Sequence, residues 1–231
     1  MKAEPTWHDV LAAAVRLQRL LPDAVLVGGS AAAVHADHRV SFDDDHVLTD
    51  LKQRFDTVLE HLEQAEGWVT ARVNRPVLIL GSLDGIETGI RQLIRRRPLE
   101  IEQIEAAGVT VTVPTLPEML RVKAWLILRR NATRDYLDFA ALADRLGEDV
   151  AASEAAGLDA YYEDQIGPGG RRIATQLTKQ LAAPAPYDLS EVDLRRYRKL
   201  DPRWQDWAAV VDACRSIARR LLSTVADEGA G

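Results

Sequence analysis

Val25-Leu26-Val27-Gly28-Gly29-Ser30, followed after a short alanine-rich stretch by His38-Arg39-Val40-Ser41-Phe42-Asp43-Asp44-Asp45, is the stretch whose reading decides the fold. An apolar run that ends in two glycines and opens a helix reads as strand, turn and helix. Glycine lacks a Cβ, so backbone N–H groups of Gly28 and Gly29 could approach a phosphate closely, and Ser30 adds a hydroxyl at the same helix start. A tight turn with an N-cap would use the same residues, so these three alone are a weak signal. The aspartates change the balance. Side chains alternate along a strand, so Asp43 and Asp45 share one face and Asp44 takes the other. Two carboxylates side by side repel unless a cation lies between them. Hard oxygen donors held this way suit Mg²⁺ bridging triphosphate oxygens. The plain alternative is an acidic surface turn; the glycines and serine one short helix upstream favour the metal.

Working outward, helical periodicity covers residues 7–21, a short buried strand 24–27, a helix 31–36, a second strand 45–48 and an amphipathic helix 52–65. Strands are expected over 68–73, 77–83 and 86–94. Asp84-Gly85 marks a hairpin, because a tight primed turn needs positive φ. Val109-Thr110-Val111-Thr112-Val113 alternates as a strand and Pro114 closes it. Beyond it the pattern is helical, over 116–130, 132–146, 148–164, 170–181 and 204–225, with a linker at 182–186 and a frayed tail at 227–231. The expected fold class is α+β: a mixed sheet core with helices over 1–114, then a helical C-terminal part over 115–226.

Composition narrows the classes. The chain has 231 residues, enough for a substantial core, with ordinary apolar (47%) and charged (28%) usage. Its one cysteine, Cys214, excludes an internal disulfide framework and a Cys-rich zinc site. There is no secretory signal and no apolar run long enough for a membrane span, so a cytoplasmic protein with no membrane partner is expected. Net charge is −6, which argues against a general nucleic-acid coating protein. Local basic clusters remain, at Arg91, Arg95, Arg96 and Arg97, and at Arg121, Arg129, Arg130 and Arg134. His35, His38 and His46 match no zinc spacing and read as local hydrogen-bonding groups.

On the second half, Leu116, Met119, Leu120, Lys123 and Ile127 fall on one helical stripe, so Lys123 shares an apolar face. It must reach water or meet an anion: a triphosphate oxygen or a carboxylate. Asp135 shares a stripe with Phe139, Leu142 and Leu146, and it could equally favour a helix start or pair with Lys123.

Gly28-Gly29-Ser30 with Arg39, Ser41, Asp43 and Asp45 resembles the signature of the DNA-polymerase-β-type nucleotidyltransferase superfamily. The Arg-x-Ser-x-Asp-x-Asp form is similar to the AbiEii/AbiGii toxin family. Leu120-Arg121-Val122-Lys123-Ala124 and Arg134-Asp135-Tyr136-Leu137-Asp138 resemble that family's downstream Lys and Arg-Asp-x-x-Asp motifs. The resemblance implies a nucleotidyltransferase that takes NTP as substrate and uses Mg²⁺ or Mn²⁺. Asp43 and Asp45 would be metal ligands, and Glu87 would be the third carboxylate, completing the metal site or acting as base. Gly28, Gly29, Ser30, Arg39 and Ser41 would serve the nucleotide, and Lys123 and Asp135 would join the catalytic set. Two departures stand out, Asp44 between the paired aspartates and Thr88-Gly89 after the third acid. The resemblance further implies an RNA (tRNA 3′ end) or protein hydroxyl as acceptor and a cognate antitoxin as partner. A small-molecule acceptor, a catalytically silent nucleotide-binding module and a purely structural αβ domain are the competing classes.

Overall fold

A computed structural model describes residues 5–228. The chain divides into two compact units, the first made of Met1–Val34 and Val40–Thr115, the second of His35–Arg39 and Leu116–Gly231. The sequence suggests a single cut near Pro114; the chain instead lends a short segment, His35–Arg39, to the second unit.

The first unit begins with helix α1 (Trp7–Leu20), started by a capping box in which Thr6 and Asp9 satisfy each other's backbone N–H. Strand β1 (Val25–Leu26) runs directly into α2 (Gly28–Ala36), so the two glycines lie inside the helix rather than in a loop ahead of it. Gly28 has φ +75°, the bend that strand-to-helix reversal requires. Then come β2 (Asp44–Leu48), α3 (Phe55–Glu63), β3 (Trp68–Asn74), β4 (Leu78–Leu83) and β5 (Ile86–Gln92). The five strands form one mixed sheet in the order β1-β2-β5-β4-β3, with β2 and β5 parallel and the other pairs antiparallel. Asp84 and Gly85 both have positive φ, +54° and +86°, as the expected hairpin demands.

One face of this sheet is dry. Leu48, Ile79, Leu83 and Ile90 pack there against Leu17 and Leu21 from the α1 side and Phe55, Val58, Leu59 and Leu62 of α3. The residues between them in sequence point to the other face. Unit one ends in a hairpin of β6 (Ile101–Ala106) and β7 (Val109–Pro114). Strand β6 has no sequence signal, since Ile101-Glu102-Gln103-Ile104-Glu105 is polar on both faces and mostly exposed. Its partner's ladder and the positive-φ pair Ala107-Gly108 make it a strand. On α1, Gln18 reads the backbone of Thr112 twice, donating to its carbonyl at 2.7 Å and accepting from its N–H at 2.9 Å.

The second unit is helical: α4 (Leu116–Arg130), α5 (Thr133–Leu146), α6 (Glu148–Ala156), α7 (Leu158–Tyr161), α8 (Ile173–Ala182) and α9 (Trp207–Glu228). The single helix expected over 148–164 is broken at Gly157, and Trp204 falls in a short 3₁₀ turn (Pro202–Gln205) ahead of α9. The expected linker at 182–186 is docked rather than loose. Asn131, at φ +48°, donates from Nδ2 to Ala185 O (2.8 Å), and its own carbonyl accepts from Tyr187 N (3.0 Å). Residues 229–231 of the expected tail lie outside the described residues, and 227–228 continue α9. Among the described residues, no helix is long and apolar enough to cross a membrane.

Candidate active site

Strand β2 separates charge by alternation. Asp44, His46 and Leu48 are buried on the dry face, and Asp45 and Val47 are half-buried on the other, with Asp43 exposed just before the strand. Because β2 and β5 run parallel with Asp44 opposite Thr88 and Asp45 opposite Gly89, the residues on the open side of β5 are Glu87, Gly89 and Arg91. Asp45 and Glu87 therefore share one sheet face, Glu87 is exposed there, and Asp43 is exposed one residue ahead of β2.

Asp45 is the most closely fitted of the three. A Cβ at Gly89 would lie 2.6 Å from its Oδ1, and one at Gly28 would lie 3.3 Å from its Oδ2. The Thr88-Gly89 departure in the sequence thus has a physical cause: the missing side chain makes room for the neighbouring strand's carboxylate. The Asp45 carboxylate has Arg91 Nε beside it at 3.5 Å. Ser30, fully buried, donates its hydroxyl to the Asp43 carbonyl at 2.6 Å, so the start of α2 fixes the backbone from which the acidic pair projects.

The dry face of β2 tolerates no charge. Burial, with the Asp45 charge second and the Thr88 hydroxyl opposing, pushes Asp44 well above the usual carboxylate range. Burial takes His46 down to about 3. The two stand 3.2 Å apart, Nδ1 to Oδ1, without hydrogen-bond geometry, each favouring its uncharged form. The Asp44 departure is therefore a core residue, facing away from the acidic pair.

The donor chemistry of Asp43, Asp45 and Glu87, all carboxylate oxygens, fits a hard divalent cation, with space opened by Gly28 and Gly89. Among the described residues, no three His, Cys, Asp or Glu side chains converge on one point as the structure stands.

The second unit holds the remaining motif residues in a buried ion cluster. Asp138, with no exposure, accepts from Arg39 Nε (2.7 Å) and Nη2 (3.0 Å), from Lys123 Nζ (2.7 Å), and meets His38 Nε2 at 2.8 Å. Burial would raise the Asp138 carboxyl, but Arg39 and Lys123, with the His38 hydrogen bond, hold it well below the usual range. Asp135 lies at the edge of the cluster, 3.2 Å from Arg130 and 3.9 Å from Lys123. There burial outweighs both cations and raises its pKa, leaving Oδ2 without a hydrogen-bond partner. Arg39 pairs with Asp138, and its guanidinium also stands 5.4 Å from the Tyr197 ring centre. Lys123 meets its anion, in Asp138. Ser41 is buried. Sequence reasoning passes over Asp138 and His38 as site residues; the signal was the spacing of Asp135 and Asp138, which puts both on one helical side.

The basic clusters divide as well. Arg121 is buried against Glu118 and Glu154, and Arg95 is buried on the Arg97 and Pro98 carbonyls, so both hold structure together. Arg129, Arg130 and Arg134 are exposed.

The fold is α+β, a mixed five-stranded sheet with helices and a helical C-terminal part. The chain is similar to the solved structure of the antibiotic-resistance factor ANT(2'')-Ia, with a TM-score of 0.50, 10% identity, and coverage of 68% of this chain and 94% of that one. JHP933 from Helicobacter pylori follows at 0.49, with 14% identity over 96% of this chain and 97% of that chain. No family model matches. In sequence, the chain is 33% identical over 228 residues to the heme uptake protein MmpL11 of Mycobacterium tuberculosis and to the probable transport protein MmpL11 of Mycobacterium bovis, which covers 92% of this chain and 22% of each relative. The mycolic acid-containing lipids exporter MmpL11 of Mycolicibacterium smegmatis is 37% identical over 129 residues, 55% of this chain and 13% of that protein. The chain spans about a fifth of the length of the first curated relatives it matches.

Proposed function

We propose that the chain transfers a nucleoside monophosphate from an NTP to an acceptor hydroxyl. The observation that carries this reading is Asp45, set between Gly28 and Gly89 on the sheet face it shares with Glu87, with Asp43 one residue ahead of the strand. Asp43, Asp45 and Glu87 would hold Mg²⁺ or Mn²⁺, which when bound supplies charge neutralisation at the triphosphate and a lower acceptor pKa. Gly28, Gly29 and the Ser30 backbone receive phosphate oxygens at the start of α2, while the Ser30 hydroxyl anchors Asp43. The acceptor oxygen forms a bond to the α-phosphorus, the bond to the pyrophosphate oxygen breaks in line, and the hydroxyl proton passes to the carboxylate side of the site or to solvent. In the second unit Lys123 and Arg39 are held by Asp138, and Asp135 stands beside Lys123.

The finer assignment follows the motif resemblance: an AbiEii-type toxin of a bacterial toxin–antitoxin pair, acting on RNA such as a tRNA 3′ end or on a protein hydroxyl. Incubation with each labelled NTP, Mg²⁺, and total RNA or total protein tests it, with a panel of small hydroxylated acceptors as a third arm. Label transfer that disappears in Asp43→Ala, with the fold retained, is the expected result. Transfer persisting in that variant would overturn the reading.

A catalytically silent nucleotide-binding module is the second reading. It is favoured by Arg91 beside Asp45 and by the MmpL11 relatives, where such a module would accompany a transport protein. Metal-dependent NTP binding without transfer to any acceptor would establish it.

A further inference from the structure

The second unit has a surface hollow whose lining residues are outside the set proposed for transfer. It measures 560 Å³ and is lined by Arg130, Ala132, Arg134, Tyr187, Asp188 and Tyr197. Tyr187 is 72% exposed, unusual for a ring that could have packed inward. Its backbone, not its ring, is what ties it down, through the N–H bond to the Asn131 carbonyl. The Asp188 carboxylate is already engaged, accepting from Thr133 N and Oγ1 at 2.7 and 2.8 Å. Tyr197 lies within Arg195-Arg196-Tyr197-Arg198-Lys199, whose four basic residues are all exposed. In a chain of net charge −6, cations gathered around two tyrosines mark a local reversal of sign.

That chemistry selects its ligand. Among the described residues, Ala132 is the one aliphatic residue in the lining, beside charged and aromatic side chains, which disfavours a lipid tail or an amphipathic helix. Aromatic faces interleaved with guanidinium groups match bases and phosphates, and an exposed ring can stack only on a base whose face is not already covered in a duplex. Cations spread from Arg130 and Arg134 to the 195–199 run suit several phosphates in succession rather than one.

We propose that this hollow docks an unpaired polynucleotide strand, with Tyr187 stacking on a base and Arg130, Arg134 and the basic run at 195–199 meeting its phosphates. The site belongs to the second unit alone and stands whether or not the chain transfers nucleotides.

The test is fluorescence anisotropy of the full chain with a labelled oligouridylate and a labelled oligothymidylate, without NTP or divalent metal. Binding that weakens steeply with salt is expected. Tyr187→Ala should lower affinity about 5- to 150-fold, the range for loss of one stacked base, while Tyr187→Phe binds like wild type. Arg134→Gln should reduce the slope of log affinity against log salt by about 0.7. Both substituted side chains are exposed, so the variants keep the fold. The ratio of the two affinities identifies ribose or deoxyribose as the natural source. The proposal is overturned if Tyr187→Ala binds like wild type, if a blunt duplex competes as well as the single strand, or if free UTP does.

Discussion

Two pairs of aspartates, Asp43 with Asp45 and Asp135 with Asp138, come from the same kind of motif and meet opposite fates. In the first pair Asp45 stands on the open face of a sheet and Asp43 is exposed just ahead of the strand. Asp45 is one-third exposed there, with the Arg91 guanidinium beside it at 3.5 Å. The second pair is buried, and Asp138 is saturated by two cations and an imidazole. A carboxylate whose charge is under-compensated at a surface is available to a cation from solution. One that is fully paired inside a protein contributes to stability and leaves little for a ligand. Residue type alone does not separate the two.

The largest expected effect tests the saturated side. Asp138→Asn leaves Arg39 and Lys123 buried without their counter-charge and should cost about 3–5 kcal/mol in urea unfolding. The pH dependence sharpens this. Asp138 is depressed when folded, so its contribution is present above the unfolded carboxyl value and lost as pH falls through the lower folded one. Wild type should lose stability steadily below about pH 4, and Asp138→Asn should show a shallower acid limb. Asp135 has the opposite sign, its folded pKa being raised mainly by burial, so its charge is a cost at neutral pH that acid relieves. Asp135→Asn should therefore change stability by under about 1 kcal/mol, and a loss as large as that of Asp138→Asn would erase the distinction drawn within this pair.

The open pair is tested next. Gly89→Ala places a methyl 2.6 Å from Asp45 Oδ1 and 3.2 Å from Leu80 Cδ2. The carboxylate must turn away, so steady-state transfer should fall on the order of 100-fold while thermal stability changes little. Unchanged turnover would mean that the orientation of Asp45 does not matter. Smallest of all, Ser30→Ala removes the 2.6 Å bond to the Asp43 carbonyl and should cost about 1 kcal/mol. The KM for NTP should stay constant, because the hydroxyl anchors the strand rather than the phosphate; a raised KM would return Ser30 to the nucleotide.

Much of the first unit was legible because its signals are local. Alternation along β2 gave the two faces of the aspartate run, and Asp84-Gly85 gave the hairpin, whose φ values are both positive. The β6 strand was not legible, since a two-sided polar segment carries no period and becomes a strand only by bonding to β7. The linker at 182–186 reads as loose by composition, yet Asn131 anchors it by bonds that composition cannot encode.

The sequence by itself determined the order of elements up to β5, the opposite faces of Asp44 and Asp45, and the need of Lys123 for an anion, because periodicity and the cost of burying charge act at the level of single segments. Tertiary structure alone decided which anion Lys123 meets, why Gly89 follows Thr88, and that Arg39 belongs with Asp138. Those outcomes depend on which strands and helices lie side by side, and partners about a hundred positions apart, such as Arg39 and Asp138, leave no trace in local spacing.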